Sequence, residues 1–203
     1  MRRLLTWEGT DGWRAESAVV DLDDDGLRAT GVQLGVDPEP YRIDYRLDAT
    51  DGFATRRLEV EARGLDWSRR LDLERRAAAA WTAHATREGK GPDAEPGGRT
   101  AELAAALDCD LGFSPLTNMM PVARAGLAQR EGGEDFLMAW VSVPDLALIA
   151  YPQRYEHVRR RPDGRATVRF VDRGPAEGFL ADLELDRDGF VVDYPGLARR
   201  VRG

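Results

Sequence analysis

The chain has 203 residues, 42% of them hydrophobic and 32% charged, with a formal net charge of -7. This length allows one large domain or two small ones, and the composition is that of a folded soluble protein and not a disordered one. The negative balance argues against non-specific binding of DNA, RNA or anionic lipid surfaces, and a single cysteine, Cys109, rules out an intramolecular disulfide.

The amino terminus, Met1 to Glu8, is basic but lacks the apolar core of a signal peptide, and no stretch approaches the ~18 uncharged residues that span a bilayer. A cytoplasmic location is the resulting expectation. Asp21, Asp23, Asp24 and Asp25 follow. They lack the glycine and terminal glutamate of a calcium loop and read as a solvated turn.

Period-two alternation then dominates. Tyr41, Ile43, Tyr45 and Leu47 occupy one face of a strand, and Arg42, Asp44, Arg46 and Asp48 the other. One buried and one wet face give this pattern, because successive side chains point to opposite sides. It returns at Leu58, Val60 and Ala62, at Leu71 and Leu73, and at Phe179, Ala181, Leu183 and Leu185. Such one-sided alternation belongs to antiparallel sheet. Turn signals separate the runs at Asp25-Gly26, Asp51-Gly52, Gly64-Leu65, Asp163-Gly164 and Asp188-Gly189.

Trp81 to Ala85 is a further strand with Trp81 facing inward, and the polar 89–98 segment is a surface loop near mid-chain. Thr100 to Leu107 has helix-forming composition with Thr100 as a candidate cap, although a strand or irregular segment competes there. Phe136 to Val143 is apolar on both faces and reads as a central strand covered on both sides. Trp81 and Trp140 both read as core residues rather than ligand platforms. Arg159-Arg160-Arg161 is a solvated strand end before a turn. Tyr41-x-x-x-Tyr45 and Tyr151-x-x-x-Tyr155 each precede an Asp-Gly turn. This faint echo suggests a single domain, 1–203, made of two related β halves of about 1–100 and 101–203.

Familiar catalytic frameworks are missing. No serine lies on a G-x-S-x-G turn, and Lys90, the sole lysine, lies in no phosphate-binding loop. Cys109, His84 and His157 are too few for a structural zinc site. No cofactor is expected.

Chemistry concentrates between Asp108 and Arg124, where the strand pattern stops. On a strand, Asp108 and Asp110 share one face, with Cys109 and Leu111 on the other. Ser114, Thr117 and Asn118 follow in a proline-bracketed turn, with Arg124 beyond. Two readings stay open. Asp, Asn and Ser-Pro build turns and Arg124 pairs with an aspartate, or the paired carboxylates accept sugar hydroxyls, bind a hard cation or act as acid and base. Tyr151, Gln153, Tyr155 and His157 share a strand face that suits either a barrel rim or the wall of an amphiphile pocket. His157 itself reads as a hydrogen-bonded rim residue.

The run from Asp108 through Asn118 to Met119-Met120-Pro121-Val122, with the closing Gly189 to Leu197, resembles a bacterial family described as putative glycolipid-binding proteins. Tyr41, Thr55-Arg56-Arg57, Trp140 and Tyr151 add to the resemblance, which covers nearly the whole chain. It implies a spiral β-roll: a curved antiparallel sheet, closed around a cleft with apolar walls for acyl chains and polar groups for a head. Asp108, Asp110, Ser114, Asn118 and Tyr194 are the positions carried over. The family pattern has two arginines after the Pro-hydrophobic pair, and Ala123-Arg124 keeps one.

The resulting expectation is an all-β protein that binds a small-molecule or glycolipid ligand without turning it over, in a pocket of ~300 Å³ or more. The ligand-binding residues are Asp108, Asp110, Ser114, Asn118, Arg124, Tyr151, Tyr155 and Tyr194. The rival is a metal-assisted hydrolase of a phosphate or nucleotide ester, which requires Asp108 and Asp110 to converge in an open cleft.

Overall fold

A computed structural model describes residues 1–76, 80–174 and 178–202. Seven strands come first: β1 (Arg2–Gly9), β2 (Arg14–Leu22), β3 (Leu27–Gly35), β4 (Tyr41–Thr50), β5 (Ala54–Arg63), β6 (Trp67–Arg76) and β7 (Ala80–Gly89). The second set is β8 (Asp108–Leu111), β9 (Gly133–Val141), β10 (Leu148–Arg160), β11 (Ala166–Asp172), β12 (Leu180–Leu185), β13 (Val191–Tyr194) and β14 (Ala198–Arg202). All lie in one sheet, in the order β7 to β1 followed by β14 to β8. β1 to β7 and β9 to β14 are each a meander of hairpins, and the two join where β1 pairs antiparallel with β14. All five predicted turns fall at hairpins.

The alternation sets the inner face. Tyr41, Ile43, Tyr45 and Leu47 are buried, as are Leu58, Val60 and Ala62 on β5 and Leu71 and Leu73 on β6. Burying each of these valine, leucine and isoleucine side chains contributes about 1.5–3 kcal/mol. Glycine enters where an aromatic ring must lie flat on the neighbouring strand. Gly31 and Gly35 pair with Tyr45 and Tyr41, and a Cβ on either glycine would sit within 2.4 Å of the tyrosine hydroxyl.

The sheet curls but does not close as a barrel, because β7 and β8 remain its two ends. The expectation was a curved sheet closed into a roll or barrel-like form, and it is the roll that forms. β8, only four residues long and buried throughout, is drawn inside the curl, paired with β9 and tied across to β5 and β7. The Thr55 N–H donates to the Leu107 carbonyl (2.9 Å) and the Cys109 N–H to Thr55 Oγ1 (2.9 Å). Trp81 Nε1 donates to the Ala106 carbonyl (3.0 Å). The β8–β9 pair is parallel, a departure from the all-antiparallel expectation that suits a strand buried on both faces.

Helix is minor among the described residues. A 3-10 turn spans Thr100–Leu103, with Arg99 and not Thr100 at its cap position. The short helix α1 (Met119–Arg124) replaces part of the predicted turn. Pro121 is tolerated there because its missing N–H falls in the first turn, where no intrahelical bond would form. One core fills the curl around β1 to β8, and a second lies between α1 and β10 to β13.

Candidate functional site

The segment after β8 turns sharply. The Ser114 N–H donates to the Leu111 carbonyl (3.0 Å), Phe113 takes a left-handed φ of 61°, and Thr117 Oγ1 donates to the Ser114 carbonyl (3.1 Å). This turn leads into α1, whose Val122 joins Tyr155 of β10 in the second core, and brings the polar side chains of 108–124 against residues far along the chain.

Asp108 and Asp110 share a face, as the strand period requires, but their surroundings separate them. The Arg124 guanidinium forks onto both oxygens of Asp108, which is fully buried. Burial pushes the Asp108 carboxyl up, and Arg124 pulls it part of the way back. Arg124 also stacks over Phe136 at 5.6 Å. This ion pair is a structural clamp behind the site, so the two aspartates do not form the open pair that a metal-assisted hydrolase needs. Among the described residues no group of three or more His, Cys, Asp or Glu could hold a metal ion.

Asp110 has neutral partners only. Thr117 Oγ1 donates to Oδ1 (2.8 Å) and Gln153 Nε2 to Oδ2 (2.6 Å). Burial dominates, and the Asp110 carboxyl is pushed up to about 6. Asn118 Nδ2 donates to the Tyr155 hydroxyl (2.8 Å), which donates to Gln153 Oε1 (3.2 Å). A chain of hydrogen bonds thus fixes the floor of a cleft of about 240 Å³.

The cleft walls are aromatic. Trp140 and Tyr151 pack with ring centres 5.8 Å apart, and Phe179 stacks on Tyr194 at 6.5 Å. Phe170 sits beside both Phe179 and Tyr194, at 6.0 Å from each. The Tyr151 hydroxyl donates to Asp172 Oδ2 (2.8 Å). Phe113 and Phe179 remain about 40% exposed at the mouth.

Ser114 links this cleft to the first half of the sheet. Its hydroxyl and that of Tyr45 both donate to Glu16 Oε1, at 2.7 and 2.5 Å. Glu16 is buried, its other oxygen has no partner among the described residues, and desolvation pushes its carboxyl up to about 7.

Of the eight residues predicted from sequence, Asp110, Ser114, Asn118, Tyr151 and Tyr194 line this one cleft. Asp108, Arg124 and Tyr155 do not. The first two form the clamp, and Tyr155 is fully buried beneath the floor. Trp140, read as core, is half-buried on the cleft wall. Trp81 is buried as read, and His157 Nδ1 lies 2.8 Å from the Leu127 carbonyl. Asp172, Phe170 and Glu16 escaped the sequence reading, and Phe179, read as the inward start of a strand, precedes β12 and stands exposed on the cleft. Glu16 carried a signal, since it shares its strand face with the inward Ala18 and Val20.

The cleft is smaller than the expected ~300 Å³, with Gln153 and the buried Tyr155 closing its floor beside Asp110. A larger groove of about 640 Å³ lies elsewhere, over β2 to β6, with Asp44, Arg46, Glu59, Glu61, Arg70 and Asp72 among its lining. It contains none of the predicted residues.

A comparison with curated protein sequences returned no match. Among solved structures, the chain is similar to a DUF1089 family protein from Pseudomonas aeruginosa, at 24% identity and a TM-score of 0.70. The alignment covers 95% of this chain and 93% of that one. The family model described as "Putative glycolipid-binding" matches residues 4–200. The chain therefore belongs to this family.

Proposed function

We propose that this protein binds the head group of an amphiphile such as a glycolipid in the Asp110 cleft, without chemical conversion. The observation that carries the reading is convergence: Asp110, Ser114, Asn118, Tyr151 and Tyr194 come from separate parts of the chain and line one aromatic-walled hollow. Aromatic rings offer flat apolar faces to a sugar ring, and the carboxylate and amide exchange hydrogen bonds with its hydroxyls. A volume of about 240 Å³ suits a head group and not a whole lipid. Acyl chains would leave across the mouth, where Phe113 and Phe179 are exposed. The Asp108–Arg124 clamp removes the basis for a hydrolase using both aspartates.

The test is incubation with a bacterial lipid extract followed by native mass spectrometry. A retained glycolipid mass is expected, and it should be lost in Trp140→Ala and Tyr194→Ala. A chain that retains no amphiphile, or retains it equally well in both variants, would refute the reading.

A further inference from the structure

The charge inventory of the cleft is lopsided. In a chain with 29 Lys and Arg, none of the residues lining the hollow is cationic, whereas two, Asp110 and Asp172, are carboxylates. Both are held by neutral donors: Thr117 and Gln153 for Asp110, and the Tyr151 hydroxyl with the Gly174 N–H for Asp172. Neither has an ion-pair partner among the described residues, in contrast to the neighbouring Asp108. Tyr194 is buried to 5% exposure and lines the same hollow. Its hydroxyl has no hydrogen-bond partner among the described residues, and burial first, then both carboxylates, push its phenol up. Two uncompensated acids beside an unused hydroxyl, ringed by Trp140, Tyr151, Phe179 and Tyr194, repel an anion and attract a cation.

We infer that the cleft selects a head group carrying an ammonium, as on an amino sugar, over its neutral and anionic counterparts. The inference rests on the head-group reading given above. The sugar ring packs on the Phe179–Tyr194 wall, and the ammonium donates to Asp110 and Asp172. Charge-assisted hydrogen bonds are about twice as strong as neutral ones, and a cation over an aromatic face gains further when desolvated. A phosphate or sulfate in the same place would face two carboxylates with no cation among the lining residues to receive it.

Calorimetric titration at neutral pH with three short-chain probes tests this: octyl β-D-glucoside, its 2-amino-2-deoxy counterpart and its 6-phosphate. The amine should bind at least about tenfold more tightly than the neutral glucoside, a margin of ~1.4 kcal/mol, and the phosphate should show no binding. Asp172→Asn, at the half-buried rim, and Asp110→Asn should each shrink the amine-to-neutral ratio to below about threefold. Equal or tighter binding of the neutral glucoside overturns the charge selection and leaves the head-group reading standing. A preference for the amine that survives both substitutions is adhesion to the acidic surface and also overturns it. If none of the three probes binds, the cleft reading falls and the selectivity falls with it.

Discussion

Replacing Arg124 by leucine tests the division of labour between the two aspartates. The substitution leaves Asp108, at 0% exposure, without its guanidinium, and it removes the packing over Phe136. Breaking one side of a buried pair costs about 3–5 kcal/mol, because the surviving charge is stranded. With ~2.1 cal/mol/K of unfolding entropy per residue over 203 residues, that loss lowers Tm by roughly 7–12 °C. The cost should depend on pH. Without Arg124 the Asp108 carboxyl rises further above its unfolded value, so the folded state binds the extra proton. Stability is then retained in acid and lost as pH rises toward neutrality. A companion Asp108→Leu/Arg124→Leu variant removes both charges and should recover most of the loss. Urea unfolding of the three proteins at pH 5 and pH 7 reads all of this. If Arg124→Leu costs less than ~1 kcal/mol, or the double variant is no more stable than the single one, the clamp is not buried as described.

Glu16→Gln should flatten the pH dependence of stability. The folded carboxyl titrates near 7, above its unfolded value of 4.5, so wild-type stability falls as pH rises through that window, by on the order of 3 kcal/mol. Thermal melts from pH 4 to pH 8 would show the variant gaining on wild type toward pH 8, and parallel curves would contradict the assignment. In Gly31→Ala the new methyl meets the Tyr45 ring at 2.2 Å. A loss of about 1–3 kcal/mol is expected in urea, and a neutral result would mean that Tyr45 does not lie on the glycine. Gly52→Ala has open space around it but a φ of +75°. About 1 kcal/mol should be lost from conformation alone, measured the same way, and a variant as stable as wild type would speak against the left-handed turn.

Strand faces, hairpin turns and the β class were legible because they depend on neighbours two to four residues apart. The alternation of Tyr41, Ile43, Tyr45 and Leu47 needs no tertiary information, and Asp-Gly turns announce themselves. The crowding of Asp108 to Arg124 could be read as unusual, since such polar groups need partners when buried. Arg124 as the partner of one aspartate could be read, and it pairs with Asp108, but the distant partners could not. Glu16 lies 98 residues from Ser114, and Gln153 lies 43 from Asp110.

The long-range arrangement came from the folded sheet alone. Local alternation says which side chains turn inward, but not that β1 meets β14 or that β8 ends inside the curl. Those choices decide which aspartate finds an arginine and which is left facing the aromatic wall. A period of two is a property of the backbone, present in any isolated strand. The pairing of distant strands is a property of the packed whole, where loop closure, burial and hydrogen-bond satisfaction are settled together.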